Sequence, residues 1–341
     1  MSRNFQVALC GYYGFGNMGD EFLATAIMKL LEEVGISKDR IVILSNDPES
    51  TSREFGASSV NRWVFEDVLR ALRASRTLLL GGGGLFQDST SVRSCMYYWG
   101  VIRLACLAGA RPWMFGQSVG PFRTGLGEFF ARNAIGKCMV RAVRDEGSKK
   151  LLTGWGYDMY QTPDPVIYLG TGQPAVSPPE EDGYILVNVR PWKGDLPHTL
   201  LRKVEESGKV WKYPCRFVAL CGDDEAFLRE IISGYPSLQG IPVKRLYSFS
   251  DALELWKGAR GAVGMRLHFT VLSTLFQVPC VAVPYDPKVR YFAGDHGLPC
   301  WEGNGPLMIP EEIPGIMEIL GEERKRIREV FLSSWERTIG G

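Results

Sequence analysis

Arg266 and His268 stand two residues apart in GAVGMRLHFTVLST, where an apolar strand pattern hands over to an apolar helix. An arginine is a permanent cation that grips carboxylates and phosphates through two parallel hydrogen bonds, and an imidazole titrates near neutrality. In the first turn of a helix the positive end of the macrodipole lowers a histidine's pKa, and a bound phosphate dianion raises it again. The pair therefore reads as an anion site with an acid beside it. A lone histidine on an apolar helix is ordinarily a satisfied core residue. A buried Arg266 next to it would be costly without an anion, which weighs against that reading. Lys288, in VPYDPKVRYF, follows the end of the next strand and is placed to approach from the neighbouring loop.

Other segments offer similar chemistry. Arg190 closes YILVNVR and is followed by Trp192 and Lys193, which makes it a second cation at a strand end or part of a solvated loop. Arg144 ends a strand in RAVRDEGS, either as a bidentate anion clamp or as half of an Arg–Asp surface pair. In GYYGFGNMGDE, Gly14, Gly16 and Gly19 satisfy the G-x-G-x-x-G spacing, but the setting is not that of a dinucleotide site. Asn17, Asp20 and Glu21 crowd this loop. A ribose-binding acid is lacking too, because Asp39 precedes the second strand and only Asn46 and Asp47 follow it. Its glycines allow backbone to approach a ligand closely, and one of its acids caps the helix. LLLGGGGLFQD runs a strand into four glycines. Gly83 and Gly84 at that carboxyl end suit a substrate cleft or tight strand–helix packing. Asp88 either accepts hydroxyl hydrogen bonds or caps a helix.

Strands and helices must hold these residues in place. The first half alternates them: FQVALCG, DEFLATAIMKLLEEVG, RIVILSN, FEDVLRALRAS, RTLLLGGGGLF, MYYWGVIRLACLAG, RPWMFGQSVGP, LGEFFARNAIGK and CMVRAVRDEGSKKLLTGWG. A Gly- and Pro-rich linker around residues 170–182 interrupts the pattern. It restarts with YILVNVR, CRFVALCG, DDEAFLREIISGY, VKRLYSF, the Ser-capped helix SDALELWKGAR, GAVGM, LHFTVLSTLFQ and PCVAVPYD, and the charged tail is helical. A chain of 341 residues exceeds one ordinary core. The expected architecture is α/β: a Rossmann-like domain over residues 1–172, a second over 173–320 and a C-terminal helix over 321–341, docking back on the first domain. Ligands of such sheets bind beyond the carboxyl ends of the strands, and the cleft between two such domains is the default site.

Composition narrows the function. A net charge of +1 gives no footprint for nucleic acid. Eight cysteines without a CxxC pair read as reduced, small hydrophobes of a reducing compartment. The apolar run at the N-terminus is too short for a signal peptide, and no stretch approaches the roughly 20 apolar residues of a membrane span. The expectation is a cytoplasmic protein, with peripheral association at the inner face of the membrane left open and the oligomeric state unassigned. HExxH, zinc cysteine pairs, the phosphate-binding GxxxxGK[ST] and the GxSxG elbow are all missing, so neither a metal nor a resident cofactor is expected.

Taken in order, GYYGFGNMGDE, GGGGLFQD, GQSVGP, VRD, DPV, GMRLH and PYDPKV resemble the polysaccharide pyruvyl transferase family, especially the bacterial branch that ketal-pyruvylates cell-wall polysaccharide. Each motif alone is weak; the ordered set spans roughly residues 5 to 295, with no member missing. The resemblance implies a glycosyltransferase-B-like fold with a cleft between two Rossmann-like domains, the first on the acceptor side and the second on the donor side. It implies phosphoenolpyruvate as donor and co-substrate. The implied acceptor is an N-acetylmannosamine (ManNAc) residue of a lipid-linked disaccharide, which receives a 4,6-linked ketal. By motif, Arg266, His268, Lys288 and Arg144 are the implied catalytic residues. Arg190, Asn17, Asp20, Glu21, Gly83, Gly84 and Asp88, read from their own segments rather than carried over from the family, join Arg266, Arg144 and Lys288 as expected substrate contacts. A nucleotide-sugar glycosyltransferase of the same fold is the competing reading, and a non-catalytic sugar- or anion-binding protein is a third.

Overall fold

A computed structural model describes residues 3–89, 91–170, 183–208 and 211–340. The linker expected around residues 170–182 lies outside the described residues except for Gly170. The chain divides into two compact units. One comprises Met1–Phe15, Asp20–Leu169 and Glu323–Gly341, the other Gly16–Gly19 and Gly170–Glu322. Gly16–Gly19, expected inside a first domain running from 1 to 172, group with the second unit.

The first unit runs β1 (Phe5–Cys10), α1 (Met18–Glu33), β2 (Ile41–Ser45), α2 (Pro48–Phe55), β3 (Ser58–Asn61), α3 (Phe65–Arg73), β4 (Ser75–Phe86), α4 (Val92–Leu107), β5 (Arg111–Val119), α5 (Gly125–Ile135), β6 (Arg141–Val143), α6 (Glu146–Gly154) and β7 (Tyr160–Gln161). Its seven strands are all parallel in the order β3-β2-β1-β4-β5-β6-β7. The inner strands read as near-continuous apolar runs because helices cover both faces of a parallel sheet. Every residue of β2 is buried.

The glycine run lies inside β4 rather than beyond it, since the strand continues to Phe86. A Cβ at Gly81 would fall 2.4 Å from Tyr13 Oη, and one at Gly82 or Gly83 would fall 2.9 Å from Leu23 or Asp20 of α1. Three of the four glycines thus serve close packing of α1 and Tyr13 on the sheet.

The second unit runs β8 (Tyr184–Asn188), α7 (Leu196–Ser207), β9 (Cys215–Ala219), α8 (Gly222–Ile231), β10 (Val243–Arg245), α9 (Phe249–Lys257), β11 (Ala259–Gly264), α10 (Leu267–Leu275), β12 (Cys280–Ala282) and α11 (Pro287–Asp295). Its parallel order is β10-β9-β8-β11-β12. Both sheets reverse their winding at their first strand, as doubly wound nucleotide-binding folds do. The long α12 (Ile316–Gly340) closes the chain. Its later turns group with the first unit, where Phe331 packs on Trp113 and Phe115, and Trp335 on Trp113. Arg328 adds an ion pair to Glu33 at 3.0 Å.

Candidate active site

The carboxyl edge of the second sheet gathers the cations. Asn188 ends β8 with no exposed surface; its Nδ2 donates to Val218 O (2.8 Å), and its Oδ1 accepts from the backbone N of Arg266 (2.9 Å). That bond fixes where α10 begins. Arg266 occupies the N-cap position without capping, and its side chain turns instead to Asp224 in the first turn of α8. Nε to Oδ2 is 2.9 Å and Nη2 to Oδ1 is 2.6 Å, and Asp224 is fully buried. Nη2 also reaches Cys221 Sγ at 2.9 Å. The anion that a buried Arg266 demanded is therefore a carboxylate of the chain itself. Burial pulls the guanidinium's pKa down, but Asp224 outweighs it and holds the group above its ordinary value. Nη1 has no hydrogen-bond partner among the described residues, and the side chain keeps 15% of its surface exposed. One face of the cation stays open to a ligand.

His268 lies half-buried in the first turn of α10. A Cβ on Gly19 would stand 2.1 Å from its Nδ1 and 2.7 Å from its Cγ. The segment Gly16–Gly19 is folded onto this same edge: Met18 N donates to Leu220 O at 2.9 Å, and a Cβ on Gly16 would be 3.3 Å from Arg245 Nη2. At Gly19 the close approach expected toward a ligand is an approach to the imidazole. Asn17 belongs to the same segment.

Three further cations leave this edge. Arg190, beyond β8, donates through Nη1 to Tyr285 Oη (2.8 Å) and lies over the rings of Tyr285 and Trp192. An aromatic clamp holds it, where a solvated loop was the alternative. Lys288 sits in the first turn of α11, its Nζ 3.7 Å from Asp286 Oδ2 and its side chain 29% exposed. Arg245 ends β10 and was missed in the sequence. Its Nη1 is 3.7 Å from Glu225, its guanidinium lies over Tyr247, and its buried Nε has no hydrogen-bond partner among the described residues. The signal was there, because VKR ends on an arginine as YILVNVR does. The N-termini of α8, α10 and α11 point the same way, adding positive dipole ends.

The remaining sequence-derived residues belong to the first unit. Arg144 donates to Asp164 Oδ2 at 2.7 Å and to Ser118 Oγ at 2.9 Å, with both charged side chains under 5% exposed. The alternative of a surface pair is thereby corrected: the pair is buried, and its partner comes from the DPV segment. Asp145 instead caps α6 through Ser148 N. Asp88 accepts from Arg123 N, Thr124 N and Thr124 Oγ, so it pins the start of α5 rather than of its own following helix. Burial raises its pKa, but those donors outweigh burial and hold it below the usual carboxylate value. Glu21, 4% exposed, accepts from Gly14 N at 2.9 Å and so ties the glycine loop to α1. Asp20 lies beneath Gly83, and Gly84 is half-buried.

A second feature of this unit escaped the sequence reading. Arg62, 4% exposed, donates to Gly11 O and Tyr98 Oη and sits over Phe15, Trp63, Tyr97 and Tyr98. Tyr12 stacks on Phe15 at 4.0 Å, and Trp63 remains 60% exposed. An aromatic platform thus covers the carboxyl ends of β1 and β3.

A family model described as polysaccharide pyruvyl transferase matches residues 17–287. No curated protein matches the chain. Among solved structures, a UDP-GlcNAc 2-epimerase from Methanocaldococcus jannaschii is similar at 11% identity and TM-score 0.60, over 95% of this chain and 92% of that one. Anabaena Alr3699/HepE, in complex with UDP-glucose, is similar at 11% identity and TM-score 0.59, over 97% and 95%. A glycosyltransferase from Rickettsia africae ESF-5 follows at 13% identity and TM-score 0.56, over 99% and 94%. At these identities the likeness is one of fold, the glycosyltransferase-B type.

Proposed function

Because the chain belongs to the polysaccharide pyruvyl transferase family, we propose that it moves the pyruvyl group of phosphoenolpyruvate onto a sugar diol. The acceptor is a ManNAc residue of a lipid-linked cell-wall precursor; the products are its 4,6-ketal and phosphate. The observation that carries the reading is the carboxyl edge of the second sheet, where Arg190, Arg245, Arg266 and Lys288 stand at or just beyond four strand ends, on the edge that also carries His268. Phosphoenolpyruvate brings a carboxylate and a phosphate, and guanidinium groups suit both. Arg266 keeps Nη1 for this anion while Asp224 fixes its other edge.

Protonation of the methylene carbon by His268 makes a methyl group and leaves cationic character at the adjacent carbon. One sugar hydroxyl attacks that carbon, and its proton returns to the His268 imidazole that the first step left deprotonated. Phosphate departs, and the second hydroxyl closes the ring, its proton leaving with the phosphate. The cations stabilise the phosphate as its charge develops. Sugar rings carry apolar faces, and the exposed faces of Tyr12 and Trp63 suit such a ring on the acceptor side.

The test is incubation of the protein with phosphoenolpyruvate and a ManNAc–GlcNAc lipid. The expected result is equimolar phosphate and pyruvyl ketal by mass spectrometry. Sugar transfer from a nucleotide-sugar donor, with no use of phosphoenolpyruvate, would replace this reading by that of a glycosyltransferase. Binding of phosphoenolpyruvate without product would leave only a binding protein.

A further inference from the structure

The outer face of the first unit carries a surface that the chemistry above does not use. Along α4, the 3.6-residue period puts Met96, Arg103 and Leu107 on one stripe, 46% and 85% exposed at the two apolar positions. On the adjoining α5, Leu126, Phe129 and Arg132 form a second stripe, with Leu126 55% and Phe129 59% exposed. The two helices are joined by Trp99, whose Nε1 donates to Asn133 Oδ1 at 2.9 Å and whose ring packs edge-on against Phe130. Arg103 in turn leans over Trp99. Clustered exposed apolar side chains of this size mark an interaction surface rather than ordinary exposure.

Charge selects the partner. The segments 91–107 and 120–140 hold Arg93, Arg103, Arg123, Arg132 and Lys137, against the single acid Glu128. Glu128 accepts a hydrogen bond from Trp155 Nε1 at 2.9 Å. α4 itself has no acidic residue. A protein partner of mixed charge would find few carboxylates here to pair with its own cations. Apolar stripes interleaved with arginines, on helices lying side by side, match an anionic lipid surface: side chains enter the acyl boundary while guanidiniums meet headgroup phosphates.

We propose that the α4–α5 face docks the protein on an anionic phospholipid bilayer. The proposal stands on this face alone and needs no assumption about the acceptor, so its failure and the failure of the transferase reading are separate. The experiment is vesicle flotation of the full chain with phosphatidylcholine vesicles and with vesicles containing phosphatidylglycerol, at low and high salt. Binding is expected only with phosphatidylglycerol, weakened by salt. Arg103→Ala and Arg132→Ala should each lose about fivefold in partitioning at low salt, and Leu126→Ser with Phe129→Ser should abolish it. Lys325→Glu, on an exposed part of α12, should bind like the wild type. Because all five altered positions are solvent-facing, thermal melts should be unchanged, which separates lost docking from lost folding. Equal binding to both vesicle types overturns the proposal, as do variants that bind like the wild type. A dimer abolished by Phe129→Ser without vesicle binding overturns it too, assigning the face to a second copy.

Discussion

A Cβ on Gly19 would lie 2.1 Å from Nδ1 of His268, although 249 residues separate the two in the chain. The imidazole occupies the space that any other residue at position 19 would fill. Gly19→Ala must therefore shift the ring, and a displacement of about 1 Å can cost on the order of 10²-fold in rate. His268→Ala should cost about 10²–10⁴-fold in kcat while phosphoenolpyruvate still binds. Phosphate release, calorimetric binding and a thermal melt read the three quantities. Wild-type kcat in His268→Ala would refute its role as the acid.

The Arg266–Asp224 pair predicts an asymmetry in stability. Asp224→Ala leaves a nearly buried guanidinium without its counter-charge, a loss of about 3–5 kcal/mol in urea unfolding. Asp224→Ala combined with Arg266→Met should recover most of this, because no charge is then stranded. Equal instability of the single and double variants would contradict the pairing.

Arg144 is predicted to act on stability before chemistry. Its pair with Asp164 is buried, so Asp164→Asn should destabilise the first unit by about 3–5 kcal/mol. At temperatures where the variant is folded, its KM for phosphoenolpyruvate should match the wild type. A large KM increase at unchanged stability would return Arg144 to the substrate.

Asp88 gives a pH signature. Its folded pKa lies below its ordinary value of 3.8, so its contribution is fully present above that value and fades as pH falls through the folded one. Asp88→Asn should therefore lose about 2 kcal/mol near neutrality, where the wild type has charge-assisted bonds from Arg123 and Thr124. The gap between variant and wild type should narrow in strong acid. Thermal melts across pH measure it; a gap independent of pH would exclude the ionised carboxylate as its source.

Much of the alternation was legible because apolar runs and glycine stops mark strands and helices locally. Five named elements were not: α2, whose PESTSREF is mostly polar, β3, whose SSVN is short and half-exposed, the two-residue β7, and the helices α7 and α11. The helix cap expected at the serine of SDALELWKGAR lies two residues earlier, at Ser248, which accepts from Asp251 N. The residue types of the site were readable at strand ends, and their partners were not. Arg266 finds Asp224 across 42 residues and Arg144 finds Asp164 across 20, pairings that only the strand order of each sheet determines. Arg245 was overlooked although it ends its strand as Arg190 ends YILVNVR; what sets it apart is Gly16 and Gly222 beside it, which only the fold brings there.

The grouping of Gly16–Gly19 with the second unit bears on how this gene can be recombined. A chimera made by joining halves at residue 170 would combine the His268 of one parent with the position-19 residue of the other. The seam that such a hybrid must respect is not the linker but four residues near the start of the chain. Parents that differ there would yield a folded hybrid whose imidazole is displaced, and transplanting residues 16–19 along with the second half would restore it.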